Sequence, residues 1–349
     1  MKIAIIGAGI FGITTAIILG KTNDVELFEK NDDILKSASS SNQYRVHRGY
    51  HYPRSPETVS GIIESESSFK ELFSKAIVTN NEHFYCISKN NSLTSSQQFI
   101  DFCKKYNLEI EKTSLDCVNK NSIDLCVRVK ESIYDPKILK EISMDLMQKN
   151  KVKIHLNTKA TEDELKKFDK IVICTYANLN ESLTKFPNSQ NEYQFELCEK
   201  PVVKLPDSFK NKSTGIMDGP FMCIDPLANT DSHLLCNVQH EIHQTNVGKF
   251  HKIGKEYEHL LDKGIIKNPS HTNYDKFIKS TIEFFPEIIN AEYIGSMFTI
   301  RAVPPRADDT DERPTLVTKI NDKMITMFSG KITTCVEAAK QVEKIITKN

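Results

Sequence analysis

Residues 7–12, Gly7-Ala8-Gly9-Ile10-Phe11-Gly12, spell a complete G-x-G-x-x-G, and its setting constrains the fold more than any other feature of the chain. The run before it, Lys2 to Ile6 (KIAII), is short, apolar and isoleucine-rich, which predicts a strand buried on both faces of a parallel sheet. Beyond it Ile13, Ala16, Ile17 and Gly20 recur at helical spacing, so a helix should pack on that sheet. Asn23-Asp24 then turns the chain into a second strand, Val25 to Glu29. The result is a βαβ unit of about 30 residues, the size of a nucleotide-binding half.

Each residue of the motif has a physical task. Gly7 permits the tight turn, Gly9 lets a pyrophosphate approach the backbone, and Gly12 brings helix and sheet together. Ile10 and Phe11 open the helix, whose first amides and positive dipole end face the phosphates. Glu29, at the end of the second strand, can accept hydrogen bonds from both ribose hydroxyls, and Lys30 follows it in the expected cofactor-binding set. A carboxylate there opposes a 2′-phosphate, which disfavours NADP. FAD and NAD share the fingerprint, so it does not separate them.

The 349 residues are enough for two domains at roughly 150 residues each, one for a cofactor and one for a substrate. With 46 basic and 46 acidic side chains there is no overall field to gather nucleic acid or an anionic membrane surface. The apolar run Ile3 to Gly20 imitates a signal peptide or anchor, but its fixed glycines, its two threonines and the strand that follows argue for a folded unit, so no membrane span is expected. Nine scattered cysteines without a C-x-x-C pair fit free thiols in a reducing cytoplasm. His233, His240 and His243 lack partners for a ligand set, so no metal site is expected.

Further along, Asn31 to Asn42 reads as a serine-rich functional loop, and Ser55-Pro56 as the N-cap and first position of a helix. His83 to Ser88 reads as a strand, Ser95 to Tyr106 as a helix, and Ile133 to Pro136 opens another helix through about Lys149. Val152 to Leu156 and Lys170 to Cys174 return to the first sheet. Residues 191–300 differ in texture, with broken strand-like runs (Gly215 to Cys223, Leu234 to His240) and one helix, Asn273 to Phe284. The strand Met324 to Phe328, the turn Ser329-Gly330-Lys331 and a helix to Ile346 follow, and Thr334 and Glu337 have capping-box spacing.

Three blocks together carry a family resemblance: the fingerprint, the segment Ser41-Asn42-Gln43-Tyr44-Arg45-Val46-His47-Arg48-Gly49-Tyr50-His51-Tyr52-Pro53, and Ser329-Gly330-Lys331-Ile332-Thr333-Thr334. The chain resembles the D-amino acid oxidase-like superfamily of FAD-dependent oxidoreductases, and its H-x-G-Y-x-Y texture is nearest to the L-2-hydroxyglutarate dehydrogenase and amino acid oxidase branch. The resemblance implies an α/β architecture with a Rossmann-like FAD-binding domain of the glutathione-reductase-like type. A second, α+β substrate domain would rest on a mixed or antiparallel sheet. Residues 1–80, 132–190 and 301–349 would form the discontinuous FAD domain, and 81–131 with 191–300 the substrate domain.

The same resemblance puts Ser41, Asn42 and Arg45 in the loop beside the flavin, Thr175 near the adenine diphosphate, and Gly330, Lys331, Ile332 and Thr333 at the flavin end. At Thr175-Tyr176-Ala177-Asn178 the chain departs from the more usual Ala-Gly-Ala-Trp. A two-electron-reduced flavin carries negative charge, so Lys331 and a helix N-terminus there are chemically apt. His47 and His51 are candidate catalytic bases. Arg301, opening Arg301-Ala302-Val303-Pro304-Pro305-Arg306, is the candidate fork for a substrate carboxylate, with Arg45 and Arg48 as further candidates. Arg306 and Arg313 flank Asp308, Asp309, Asp311 and Glu312 and fit local salt bridges better.

The implied activity is hydride abstraction from the C–N or C–OH carbon of a small polar, carboxylate-bearing substrate, an amino acid, amine or 2-hydroxy acid, to flavin N5. The alternatives are an NAD-dependent Rossmann dehydrogenase and a catalytically inactive FAD- or nucleotide-binding scaffold.

Overall fold

A computed structural model describes residues 1–306 and 311–347; Asp308 and Asp309, read above as possible partners of Arg306 and Arg313, lie outside the described residues. Lys2–Ile6 is the centre of a six-stranded sheet. It pairs in parallel with Asp24–Phe28 on one side and Lys170–Ile173 on the other, so that Ile5 lies between Leu27 and Val172. Lys153–His155 and Met324–Phe328 extend the sheet in parallel, and Leu316–Lys319 closes one edge antiparallel. This is a parallel α/β layer of the kind the opening motif demands.

The helix Ile10–Leu19 is buried at every position, not on one face alone. It is enclosed by the sheet and by the helices Pro136–Lys149 and Cys335–Thr347. Its polar members are satisfied locally, because the Thr15 hydroxyl donates to the Phe11 carbonyl at 2.7 Å and that of Thr14 to Cys335 Sγ at 3.4 Å.

A nine-stranded mixed sheet forms the second layer. Its long members, Tyr193–Lys204 and Glu292–Val303, pair antiparallel along their length. Neither strand is legible locally because buried Glu196, Glu199 and Lys200 break the apolar pattern, and these charges find partners only in three dimensions. The expected strand Gly215 to Cys223 is two, Lys212–Met217 and Met222–Pro226, separated by a turn at Asp218-Gly219. The run Leu234 to His240 ends as a strand at Asn237, whose side chain accepts the Gln239 amide at 3.0 Å and starts a helical turn.

A three-stranded sheet of Arg45–Val46, Ser132–Tyr134 and Ile77–Val78 lies within residues that carry no strand signal. The loop Asn31 to Asn42 contains a helical turn, Ser37–Ser40. Two expected caps are replaced by other contacts. Ser55 donates its hydroxyl to Thr58 Oγ1 at 2.7 Å, and Thr334 donates to the Lys331 carbonyl at 2.7 Å as part of a 3₁₀ turn, Ile332–Thr334, ahead of Cys335–Thr347. All nine cysteines are free and buried. Among the described residues no helix is long and apolar enough to cross a membrane, and no cluster suits a metal ion.

Candidate active site

The glycine turn is held by sterics and by one carboxylate. Gly7 sits at φ +99°, and a Cβ there would fall 2.7 Å from the Cys174 carbonyl oxygen. A Cβ on Gly12 would fall 1.9 Å from the Gly7 oxygen, so only glycine lets the helix start this close to the strand. Glu29 accepts the Ala8 amide at 2.7 Å through Oε2 and the Asn31 amide at 2.9 Å through Oε1, tying the turn to the exit of the second strand. Ser39, which sequence reasoning did not single out, accepts the Ile10 amide at 3.1 Å.

Thr175 stands beside Gly7, with its Oγ1 buried and without a hydrogen-bond partner; Thr333 Oγ1 is in the same condition ahead of the C-terminal helix. Such orphaned hydroxyls, together with a glycine turn open to a helix N-terminus, fit a bound dinucleotide, FAD included. Lys30 is exposed. Ser41 is buried, and Asn42 closes its own loop, accepting the Tyr44 amide at 2.7 Å and donating to the Ala38 and Ser39 carbonyls. Ile332 packs partly buried against the core of the cofactor layer, and Gly330 lies where a Cβ would meet the Arg313 carbonyl oxygen at 2.1 Å.

The small sheet sets the polar centre. Arg45 pairs with Ile133 and Val46 with Ser132, so the antiparallel register brings the next residue, His47, opposite Glu131. His47 Nδ1 lies 2.9 Å from Glu131 Oε1, and the Glu131 side chain has no exposed surface. Tyr85, from the strand Glu82–Ser88, reaches both Glu131 oxygens at 3.3 Å and accepts from Arg45 Nη1 at 3.0 Å. Arg45 in turn donates through Nε to Asp225 at 2.7 Å. Asp225, Arg45, Tyr85, Glu131 and His47 therefore form one continuous buried chain. His51 lies beside it, its ring 5.7 Å from that of His47 and its Nδ1 buried without a partner. Tyr52 packs against both rings, and the Lys331 ammonium stands 4.5 Å above Tyr52. Lys331 also lines a groove of about 490 Å³ between the helices Pro56–Leu72 and Cys335–Thr347.

Electrostatics follow from this packing. Burial, then the charges of Lys331 and Arg45, hold His47 well below the usual histidine range, and burial with His47 does the same for His51. Burial pushes Glu131 upward against the opposing pull of His83 and Arg45. Desolvation lowers Lys331 to about 7, with Arg313 adding to the effect.

Two assignments change. Arg301 was expected to fork onto a carboxylate, but its Nε donates to Glu196 at 2.5 Å and its Nη1 to Glu241 at 2.7 Å, while Lys200 also pairs with Glu241. The guanidinium is thereby committed to a network within the large sheet. Arg45 was expected to bind the cofactor or an acidic group, but it is buried against Asp225, with side-chain exposures of 1% and 0%. Arg48 pairs with Glu66, Arg313 with Asp311, and Arg306 is exposed. Glu131, Tyr85 and Asp225 went unseen in the sequence. Only strand register reveals that Glu131 faces inward.

Comparison with known proteins concerns the chain as a whole. The family model DAO, described as FAD dependent oxidoreductase, matches residues 2–314. The chain is 24% identical over 381 residues to the FAD-dependent monooxygenase kojA of Aspergillus flavus, covering 99% of this chain and 86% of that protein. It is 22% identical over 360 residues to the FAD-dependent monooxygenase FPY4 of Fusarium mangiferae, covering 99% and 91%. Glycine oxidase from Geobacillus kaustophilus shares the fold with a TM-score of 0.73 at 13% identity, covering 99% of this chain and 94% of that one. L-alpha-glycerophosphate oxidase from Mycoplasma pneumoniae, solved with FAD bound, gives 0.72 at 15%, again covering 99% and 94%.

Proposed function

The chain belongs to the DAO family of FAD-dependent oxidoreductases, and from that premise we propose that it takes a hydride from the C–OH carbon of a small polar substrate, leaving a carbonyl. When bound, FAD supplies the hydride acceptor. Gly7, Gly9, Ile10, Phe11, Gly12 and Glu29 would hold its adenosine diphosphate, with Thr175 beside them, and Gly330 to Thr333 its flavin end. The fold is shared by a glycine oxidase and a glycerophosphate oxidase, so it does not decide between C–N and C–OH.

One observation favours the alcohol: His47 is buried, held by that burial below the usual histidine range, and within hydrogen-bond distance of Glu131 at Nδ1. An amine can react in its free neutral form, whereas a hydroxyl proton needs an acceptor as the C–H bond breaks. His47 takes that proton at Nε2, and its approach to the reacting carbon is sheltered from water by Tyr52 and His51. Lys331, when protonated, would supply positive charge to the flavin end of a bound FAD. With Arg45 and Arg301 held by carboxylates, the reading rests on the hydroxyl and not on a carboxylate clamp.

The test is an absorbance spectrum of the purified protein followed by anaerobic titration with polyols, 2-hydroxy acids and amino acids. Bleaching of a bound yellow chromophore by a hydroxyl compound is expected. Bleaching by amino acids alone, or by none of the three classes, overturns the reading. A second reading, oxygen insertion, is favoured by the names of the relatives kojA and FPY4, whose likeness spans nearly the whole chain. Product carrying label from ¹⁸O₂ would select it.

A further inference from the structure

The Glu131 carboxylate lies too deep to meet a substrate, yet several polar groups converge on it. His47 Nδ1 lies 2.9 Å away and the Tyr85 hydroxyl 3.3 Å from each oxygen. Donors of this kind favour an ionised carboxylate, because each stabilises the charged form that burial penalises. Arg45 strengthens the arrangement at one remove. By donating an N–H to the Tyr85 oxygen at 3.0 Å it leaves the Tyr85 hydrogen free to point at Glu131.

An imidazole facing an ionised acceptor at Nδ1 must carry its proton there, which leaves the lone pair on Nε2. We propose that Glu131 is a positioning residue that fixes His47 as the Nδ1–H tautomer and stabilises the imidazolium once Nε2 has accepted the substrate proton. This rests on the reading of His47 as the base. The proton stays on His47, and Glu131 remains a carboxylate throughout. The position is set by backbone pairing, since Glu131 adjoins Ser132–Tyr134 and His47 adjoins Arg45–Val46 in the same register. The groups facing His47 are Glu131, His51, Tyr52, Arg45 and Lys331; those facing Glu131 are His47, His83, Tyr85 and Arg45.

The experiment is long-range ¹H–¹⁵N correlation spectroscopy of the FAD-loaded protein labelled with ¹⁵N-histidine, the His47 signals being identified by their loss in His47→Gln. Wild type is expected to show neutral His47 with its proton on Nδ1 across the neutral range. Glu131→Leu should transfer that proton to Nε2 in a large fraction of molecules. Glu131→Gln, which keeps an acceptor oxygen without the charge, should retain the tautomer, move the His47 titration to lower pH, and lower kcat about 10- to 100-fold with KM little changed. Wild-type His47 with its proton on Nε2, or a Glu131→Leu spectrum identical to wild type, overturns the positioning role. Full turnover of the bleaching substrate by His47→Gln overturns the assignment of His47 as the base, an outcome separate from the tautomer result.

Discussion

Ala8 donates its backbone amide to Glu29 Oε2 at 2.7 Å, joining the second residue of the glycine motif to the end of the neighbouring strand. The carboxylate therefore shapes the turn before any ligand arrives, and it still has lone pairs for ribose hydroxyls. Glu29→Ala should weaken FAD retention by about 1.5–3 kcal/mol, the range for a hydrogen bond to a charged group, or roughly ten- to a hundredfold in Kd. Flavin titration of the stripped protein reads this directly, and an unchanged Kd would remove Glu29 from the cofactor site.

Gly12 is the sterically tightest point of the motif. With an alanine methyl directed 1.9 Å from the Gly7 oxygen, Gly12→Ala must push the helix off the strand. A loss of about 1–3 kcal/mol of stability and a colourless protein are expected. Thermal melting and flavin content measure the two effects separately.

Lys331 gives a pH signature. Its amine falls from the ordinary 10.5 to about 7 in the folded chain, so between those values the unfolded state binds more protons than the folded one. Stability of flavin-free protein should therefore rise with pH across that window on account of this residue, and Lys331→Met should abolish the contribution. Urea denaturation of both proteins from neutral to alkaline pH checks it. A wild-type minus variant difference that stays flat or falls with pH would contradict the assignment.

Arg45 and Asp225 are buried together, and removing one partner strands the other. Asp225→Asn is expected to cost about 3–5 kcal/mol, as loss of one member of a buried pair does. The Arg45→Met, Asp225→Leu double variant should recover part of that loss. Denaturant midpoints for the wild type and the two variants decide the matter.

The sequence speaks clearly where one local rule governs. Lys2–Ile6, the glycine motif, the helix Ile10–Leu19 and the strand Asp24–Phe28 are legible because buried parallel strands and a helix beginning at a glycine turn leave unambiguous patterns. The strands Tyr193–Lys204 and Glu292–Val303 were illegible because Glu196, Glu199 and Lys200 look solvent-facing until the fold pairs them. His47 and His51 could be nominated from their loop, but Glu131 could not. Its role is created by pairing between segments far apart in the chain, which no local pattern encodes. Arg45 and Arg301 misled for the same reason, since their carboxylate partners are equally remote in sequence.

Met324–Phe328 slots between Leu316–Lys319 and Lys170–Ile173, and Cys335–Thr347 covers the helix Ile10–Leu19. During translation the βαβ unit emerges well before the helix that covers it, because residues 29–334 lie between them. The nucleotide grip therefore waits, with apolar flanks bare, while the whole large sheet is synthesised. Full enclosure of the nucleotide-binding helix therefore follows synthesis of residues 324–347.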